Sequence, residues 1–106
     1  MGILAFQGSE AIGFISFSTP NLGVSNCEWL GVRPSYRGQG AGKQLLAAWE
    51  QYAASHSSHC VTLICEDDNI TFYRKNGFSV VGLIPQYCLG IDFHFLYKQI
   101  AEPSFV

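Results

Sequence analysis

A short glycine-rich run stands where a strand-like segment gives way to a helix-like one. Residues 37–42 read Arg-Gly-Gln-Gly-Ala-Gly, after an apolar run over residues 27–32 and before a helical pattern over residues 43–54. The first turn of a helix has backbone N–H groups without internal partners, and the helix dipole adds partial positive charge there. Glycines let the backbone approach a ligand closely, and Arg37 and Lys43 flank the run with positive charge. The pattern predicts main-chain binding of an anion such as a pyrophosphate, and a glycine-rich turn without a ligand is the alternative.

Two named nucleotide-binding motifs do not fit this run. A Walker loop needs a serine or threonine after its Gly-Lys pair, and Gly42-Lys43 is followed by Gln44. The spacing Gly38-x-Gly40-x-Gly42 also differs from the Gly-x-Gly-x-x-Gly of dinucleotide-binding folds. These two ways of binding a nucleotide are therefore disfavoured.

A longer stretch on both sides of the run gives a better match. Residues 30–42, Leu-Gly-Val-Arg-Pro-Ser-Tyr-Arg-Gly-Gln-Gly-Ala-Gly, resemble motif A of the GCN5-related N-acetyltransferase (GNAT) superfamily. The core of that motif, Arg/Gln-x-x-Gly-x-Gly/Ala, is met by Arg37, Gly40 and Gly42. Residues 69–78, Asn-Ile-Thr-Phe-Tyr-Arg-Lys-Asn-Gly-Phe, resemble motif B of the same superfamily. The two motifs occur in the family's order, and the resemblance covers nearly the whole chain.

The resemblance implies acetyl-CoA as the cosubstrate. In the family, the loop backbone holds the pyrophosphate, and the end of the preceding strand splays from its neighbour at a bulge. The free backbone groups of that strand end bind the pantetheine arm and polarise the thioester carbonyl, which is often the largest catalytic term. The residues implicated in this way are Leu30, Gly31, Val32, Arg37, Gly38, Gln39, Gly40, Ala41, Gly42, Lys43 and Asn69. An ordinary strand end and a plain helix N-cap at Asn69 are the structural alternatives.

Two side chains are candidates for proton transfer. Tyr73 matches the family position whose hydroxyl often protonates the departing CoA thiolate. A phenol with a pKa of about 10 can donate to a thiolate whose conjugate acid has a pKa of about 8.5. Glu28 is the only carboxylate on the strand that enters the site, and it is a candidate to accept the proton of the amine, directly or through water. The alternatives are a Tyr73 that only packs against neighbouring aromatic rings and a Glu28 that only faces solvent.

Other polar residues have simpler interpretations. His94 is predicted to be a surface or packed histidine rather than a catalytic one. The acidic run Glu66-Asp67-Asp68 is either a solvated loop or an attraction for a cationic amine. The four cysteines lie in strand-like apolar runs without the spacing of a zinc site, so buried free thiols and no metal are predicted; they are Cys27, Cys60, Cys65 and Cys88.

Composition limits the class of protein. The 106 residues predict a single domain over residues 1–106, with 48% hydrophobic and only 13% charged residues. Charged residues usually make up about 25% of a soluble domain, so the excess apolar surface predicts a partner chain, most simply in a homodimer. The net charge of −2 argues against nucleic acid as a partner. No apolar run long enough to span a membrane and no leader is evident, so no membrane partner and a cytoplasmic location are predicted.

The elements that must position the candidate residues follow the order β-β-β-α-β-α-β-β. Strands are predicted over residues 2–6, 11–18, 25–32, 60–65, 79–83 and 91–97, and helices over residues 40–55 and 69–75. A strand–helix–strand unit between residues 27 and 65 implies a parallel crossover, and the rest of the sheet is predicted to be antiparallel. The predicted class is α+β, a mixed, mostly antiparallel sheet with two helices, similar to the GNAT fold from its second strand onward.

The start of the chain leaves three hypotheses open. GNAT domains ordinarily begin with a strand and two helices that help to form the acceptor side, whereas this sequence begins beside the hairpin that follows them. The first prediction is an N-acetyltransferase in which a primary amine, of a small molecule or a peptide, attacks the thioester directly without a metal. The alternative is a catalytically weak acyl-CoA-binding or interaction module that is complete only as an oligomer. A structural dimerisation domain that binds no CoA is a third hypothesis.

Overall fold

Six strands form one sheet in the order β1-β2-β3-β4-β6-β5 in the computed structural model, which describes residues 1–103. The elements are β1 (Gly2–Gln7), β2 (Glu10–Phe17), β3 (Val24–Val32), α1 (Ala41–Ser55), β4 (Cys60–Cys65), α2 (Ile70–Lys75), β5 (Ser79–Cys88) and β6 (Ile91–Gln99). Only β3 and β4 are parallel among the described strand pairs, and α1 connects them. Short 3-10 turns, Pro34–Tyr36 and Asp67–Asn69, lead into the two helices. The predicted fold class and element order are confirmed.

Helix α1 packs on the sheet through the stripe that its periodicity predicts. Leu45, Leu46, Trp49 and Ala53 are buried, in contact with a core that includes residues of β2, β4 and β6. The buried Trp49 indole donates a hydrogen bond to the hydroxyl of Ser25 at 3.0 Å. That hydroxyl in turn donates to a backbone carbonyl at 3.0 Å, so both polar groups of this helix–sheet contact are satisfied in the core.

The second hairpin is longer than predicted. Strands β5 and β6 extend to Cys88 and Gln99, whereas the prediction ended them at residues 83 and 97. Pro85 interrupts the apolar pattern of β5, but the strand continues through two register shifts. At the second shift the backbone N–H of Gln86 donates to the carboxylate of Asp92 at 2.8 Å, and this side chain replaces the missing backbone partner.

The two faces of β6 differ. Leu96 is buried in the core beneath the helices, and on the same face Lys98 pairs with Glu50 of α1 at 2.7 Å. Alternation places Phe93 and Phe95 on the opposite face, which the described helices do not cover. That face also carries exposed side chains from the other half of the sheet, among them Leu4, Phe14 and Trp29.

Strands β3 and β4 separate soon after they begin to pair. They are in register only at Val24 with Cys60, Ser25 with Val61 and Asn26 with Thr62. On the other edge of β3, Cys27 pairs with Phe17 and Trp29 pairs with Ser16, so Glu28 is an extra residue at a β-bulge. The bulge and the separation open a cleft between the carboxyl ends of β3 and β4, in agreement with the splay that the resemblance implied.

The cysteines are free thiols with different environments. Cys27, Cys60 and Cys65 are buried, as predicted, but Cys88 is exposed and its predicted burial is wrong. Cys88 lies at the end of β5 beside the Leu89-Gly90 turn, beyond the part of the sheet that the helices cover. Within residues 1–103, no helix is long and apolar enough to cross a membrane.

Candidate functional site

The glycine-rich loop ends in a helix start with unpaired donors. Gly38 has a φ of 79° and Gly40 a φ of 88°, a backbone conformation that glycine adopts without a Cβ clash. The N–H of Gln44 donates to the carbonyl of Gly40 at 3.0 Å, and this is the first hydrogen bond of α1. The N–H groups of Ala41 and of the two following residues therefore have no acceptor within the helix. Together with the helix dipole they form a site suited to an anion.

Side chains of Arg37 and of the turn before it hold the glycine-rich run against the sheet. The hydroxyl of Tyr36 donates to the carboxylate of Glu10 at 3.1 Å, and Arg33 contacts the same carboxylate at 3.3 Å. Arg37 donates from Nε to the carbonyl of Val32 at 3.2 Å, so its guanidinium lies over the end of β3. The bond to Glu10 raises the pKa of Tyr36. These contacts fix the loop beside the strand end that it must face.

A cavity of about 490 Å³ lies between this loop, the end of β3 and α2. Its lining contains every predicted cofactor-binding residue except Gln39: Leu30, Gly31, Val32, Arg37, Gly38, Gly40, Ala41, Gly42, Lys43 and Asn69. The side chain of Gln39 turns back toward the carbonyl of Ser35, at 3.5 Å. Tyr36 and Phe72 also line the cavity, and the sequence analysis missed both. Phe72 lies within residues 69–78, the stretch that resembles motif B, so the motif could have indicated that it lines the cavity.

A second cavity, of about 460 Å³, occupies the cleft between β3 and β4. It shares three lining residues with the first cavity, Leu30, Asn69 and Tyr73. Glu28 lines this second cavity and not the first, and Glu66 is the other carboxylate in its lining. The described residues thus form two adjoining cavities that meet at these three residues, of which Tyr73 carries a hydroxyl.

Tyr73 lies at the junction of the two cavities. Burial raises the pKa of its phenol above the ordinary value, and the neighbouring thiols Cys27 and Cys65 raise it further. The ring also packs edge-on against Phe72 and Phe78, with centroids 5.1 and 5.8 Å away. The ring of Tyr73 therefore packs against its neighbours and also lines both cavities. Its phenol is protonated at neutral pH. Such a group can donate a proton to a species at this junction.

The remaining candidate residues are dispersed. Asn69 occupies the N-cap position of α2 but makes no side-chain capping hydrogen bond, so a plain N-cap does not account for it. His94 contacts Asp67 and lines neither cavity, which makes it a packed histidine as predicted. Asp67 and Asp68 lie around a shallow depression beside Asp92, outside the two cavities. Among residues 1–103 there is no group of three or more histidine, cysteine or acidic side chains able to hold a metal ion.

The matches to known proteins agree with this geometry. Residues 1–78 match the sequence profile of the Acetyltransferase (GNAT) family. This chain belongs to that family. The GNAT chain is 31% identical over 99 residues to the uncharacterized N-acetyltransferase YhfO of Bacillus subtilis. The alignment covers 84% of this chain and 65% of the relative. It spans only 20% of the length of a second relative, a Mycobacterium leprae protein 34% identical over 72 residues, or 66% of the chain.

Solved structures share the fold at low sequence identity. The GNAT chain superposes on the ribosomal-protein-S18-alanine N-acetyltransferase of Escherichia coli with a TM-score of 0.87 at 19% identity, covering 98% of this chain and 71% of that one. It superposes on an aminoglycoside 6'-N-acetyltransferase, complexed with coenzyme A, with a TM-score of 0.85 at 19% identity. That alignment covers 98% of this chain and 74% of the other. These likenesses establish the acetyltransferase fold.

Proposed function

We propose that the protein is an acetyl-CoA-dependent N-acetyltransferase that moves an acetyl group to a primary amine. The observation that carries the proposal is the placement of Tyr73 where an anion-binding cavity adjoins a second, carboxylate-bearing one. Family membership supports the acetyl transfer, and the coenzyme A in the related aminoglycoside acetyltransferase supports the cosubstrate. The amine acceptor is expected to be a small molecule or a peptide.

The first cavity suits acetyl-CoA because backbone N–H groups line it and can donate hydrogen bonds. The pyrophosphate would accept hydrogen bonds from the unpaired N–H groups of Ala41, Gly42 and Lys43. The pantetheine arm would lie along residues 30–32, where β3 has no partner strand on the side of the cleft. Asn69 offers an amide side chain to the same arm, and it has no competing bond as a helix cap.

The reaction then needs one bond formed and one bond broken. The amine nitrogen attacks the thioester carbon from the second cavity, and backbone N–H groups at the end of β3 stabilise the developing oxyanion. Collapse breaks the carbon–sulfur bond, and Tyr73 donates its proton to the departing thiolate. An acceptor bound as an ammonium first gives one proton to Glu28, directly or through water, and this frees the lone pair that attacks. The second proton leaves the nitrogen for solvent after the attack, Glu28 releases its proton to solvent, and Tyr73 regains a proton from solvent. Holding both reactants at one junction supplies much of the rate.

The alternative, an acyl-CoA-binding or interaction module with little turnover, is favoured by the uncovered sheet face. Leu4 and Phe14, which do not line the second cavity, expose 60% and 44% of their surfaces on that face. A homodimer that covers them remains a prediction, tested by the mass of the protein in solution. The single domain over residues 1–106, the cytoplasmic location, and the expectation of no metal and no nucleic acid likewise remain predictions.

Turnover separates the two functions. We would measure the release of CoA from acetyl-CoA with a panel of primary amines, and acetyl-CoA binding by calorimetry. Tyr73→Phe should lower kcat by about 10²- to 10⁴-fold, the usual range for loss of a general acid, and should leave acetyl-CoA binding intact. Tyr52→Phe is the matched control, because this hydroxyl contacts Met1 far from both cavities.

The results have distinct meanings. Unchanged kcat in Tyr73→Phe would remove the acid role from this residue. Binding of acetyl-CoA with no CoA release for any amine would favour the binding module. Absence of acetyl-CoA binding at millimolar concentrations would contradict both functions and leave the structural dimerisation domain.

A further inference from the structure

We propose that the second cavity takes acceptors that carry a single ammonium group on a flat, apolar body, the class of arylalkylamines. The inference rests on the proposed function, because it names the acceptor class of the same active site. It follows from which side chains line this cavity and from which charges are near it.

The position of the cavity makes it the place for the acceptor. Tyr73, Leu30 and Asn69 line both cavities, so a molecule in the second cavity meets a thioester in the first at these residues. The loop donors that suit a pyrophosphate are on the far side of the first cavity and do not line the second. An amine nitrogen can therefore reach Tyr73 from the cleft between β3 and β4 while the first cavity holds the thioester.

The walls of the second cavity are apolar side chains that water reaches. Trp29 is 71% exposed, Leu89 98% and Ile91 43%, and Phe93 lies beside them at the mouth. Trp29 comes from the bulge in β3, and the other three come from the β5–β6 hairpin and its turn. An apolar body bound between them removes their surface from water, at about 25 cal/mol per Å². An exposed indole also favours a flat partner with a cation.

The charges of the lining favour a cation, and its apolar side chains favour an acceptor with one ammonium group and an apolar body. Glu28 and Glu66 are the carboxylates of the lining, and no lysine, arginine or histidine is among the described residues that line it. The other acidic side chains nearby, Asp67, Asp68 and Asp92, border the shallow depression, which adjoins the second cavity at Glu66 and Ile91. A polyamine or a multiply charged sugar could place its further cations in that depression, but it would leave the apolar side chains of the cavity exposed to water. A monoamine with an aromatic ring satisfies both parts of the lining.

The test compares amines that differ in apolar surface and in number of charges, on the intact protein. With acetyl-CoA present, 2-phenylethylamine should be acetylated with a kcat/KM about tenfold or more above that of ethanolamine and of spermidine, since about 1.4 kcal/mol of extra apolar burial suffices. With CoA present, calorimetry should give a dissociation constant for 2-phenylethylamine about tenfold below that of the uncharged 2-phenylethanol.

Two leucines provide a matched pair of variants. Leu89 and Leu22 both precede a glycine in a turn, with φ of 55° and 54°, and both are largely exposed, but only Leu89 lines the cavity. Asparagine tolerates this backbone conformation, so Leu89→Asn and Leu22→Asn should both fold. Leu89→Asn should weaken 2-phenylethylamine binding several-fold, and Leu22→Asn should leave it unchanged.

Each outcome decides the matter. Preference for ethanolamine or spermidine, equal effects of Leu89→Asn and Leu22→Asn, or no binding of 2-phenylethylamine would overturn the inference, while turnover of any amine would leave the proposed function intact. Binding of 2-phenylethylamine that depends on Leu89, with no acetyl transfer to any amine, would support the cavity assignment and count against the proposed function.

Discussion

Replacement of Gly42 by alanine should separate the stability of the protein from its affinity for acetyl-CoA. Gly42 lies in the first turn of α1 and is not among the glycines with positive φ, so alanine can adopt its conformation. The added Cβ would lie 3.1 Å from Cζ of Phe72, a ring that is 37% exposed and free to shift by a few tenths of an ångström. Reduced freedom of the unfolded chain should stabilise the variant by about 0.4–1 kcal/mol, less the cost of that shift.

Affinity should change in the opposite direction. Gly42 lines the first cavity beside the unpaired N–H groups, and a methyl group there holds a pyrophosphate away from them. Each hydrogen bond to a charged group is worth about 1.5–3 kcal/mol, so the loss of one weakens binding by about tenfold or more. At a ligand concentration of about 100 times the original dissociation constant, the stabilisation by acetyl-CoA should fall from about 2.7 to about 1.4 kcal/mol.

Thermal unfolding with and without acetyl-CoA measures both quantities. The matched control is Gly82→Ala in β5, where an added Cβ meets no atom within 4 Å. This control should keep the full shift in Tm with acetyl-CoA. If Gly42→Ala also keeps the full shift, the pyrophosphate does not bind at this helix start, and the assignment of the loop is wrong.

Three further predictions concern protonation and the core. In the alkaline range, kcat/KM should stay level up to about pH 10, because burial raises the pKa of Tyr73 and the protonated phenol is the active form; a falling limb near pH 8 that disappears in Tyr73→Phe would argue against this. Burial, and then the charge of Glu28, raises the pKa of Cys27 to about 12, above its value in the unfolded chain. The free energy of unfolding should therefore fall as the pH rises above about 9, and urea melts should show a shallower fall for Cys27→Ala; equal slopes would refute the shift. Ser25→Ala leaves the buried indole N–H of Trp49 without an acceptor and should cost about 1–3 kcal/mol, a fall in Tm of about 4 °C or more. An unchanged Tm would mean that another acceptor replaces the hydroxyl.

Local patterns predicted the parts of the fold that local physics determines. The buried stripe of α1 follows from the spacing of Leu45, Leu46, Trp49 and Ala53, and the helix start follows from the glycines before it. The two faces of β6 follow from simple alternation. The length of β5 did not follow, because Pro85 weakens the strand pattern and the acceptor for the N–H of Gln86 is the carboxylate of Asp92 on the opposite strand.

The second cavity could not be predicted from the sequence, because its walls come from distant parts of the chain. Trp29 and Leu89 are sixty residues apart, and only the sheet order β3-β4-β6-β5 brings them to one cleft. The prediction of Glu28 as a strand carboxylate was correct about the strand. The family resemblance implied a bulge, but it did not place the bulge at Glu28, because its position is a property of the pairing with β2. The exposure of Cys88 likewise depends on where the helices stop covering the sheet.

The early separation of β3 from β4 places an edge strand in the middle of a sheet. Among the described residues, only three residue pairs join β3 to β4. Beyond Asn26, half of the backbone N–H and C=O groups of β3 therefore point into the cleft and not at a neighbouring strand. Edges of this kind ordinarily attract another strand. A pantetheine arm with its two amides would complete the ladder here, so the cosubstrate would act as a removable strand. Amide hydrogen exchange at residues 30–32 should then slow when acetyl-CoA is bound.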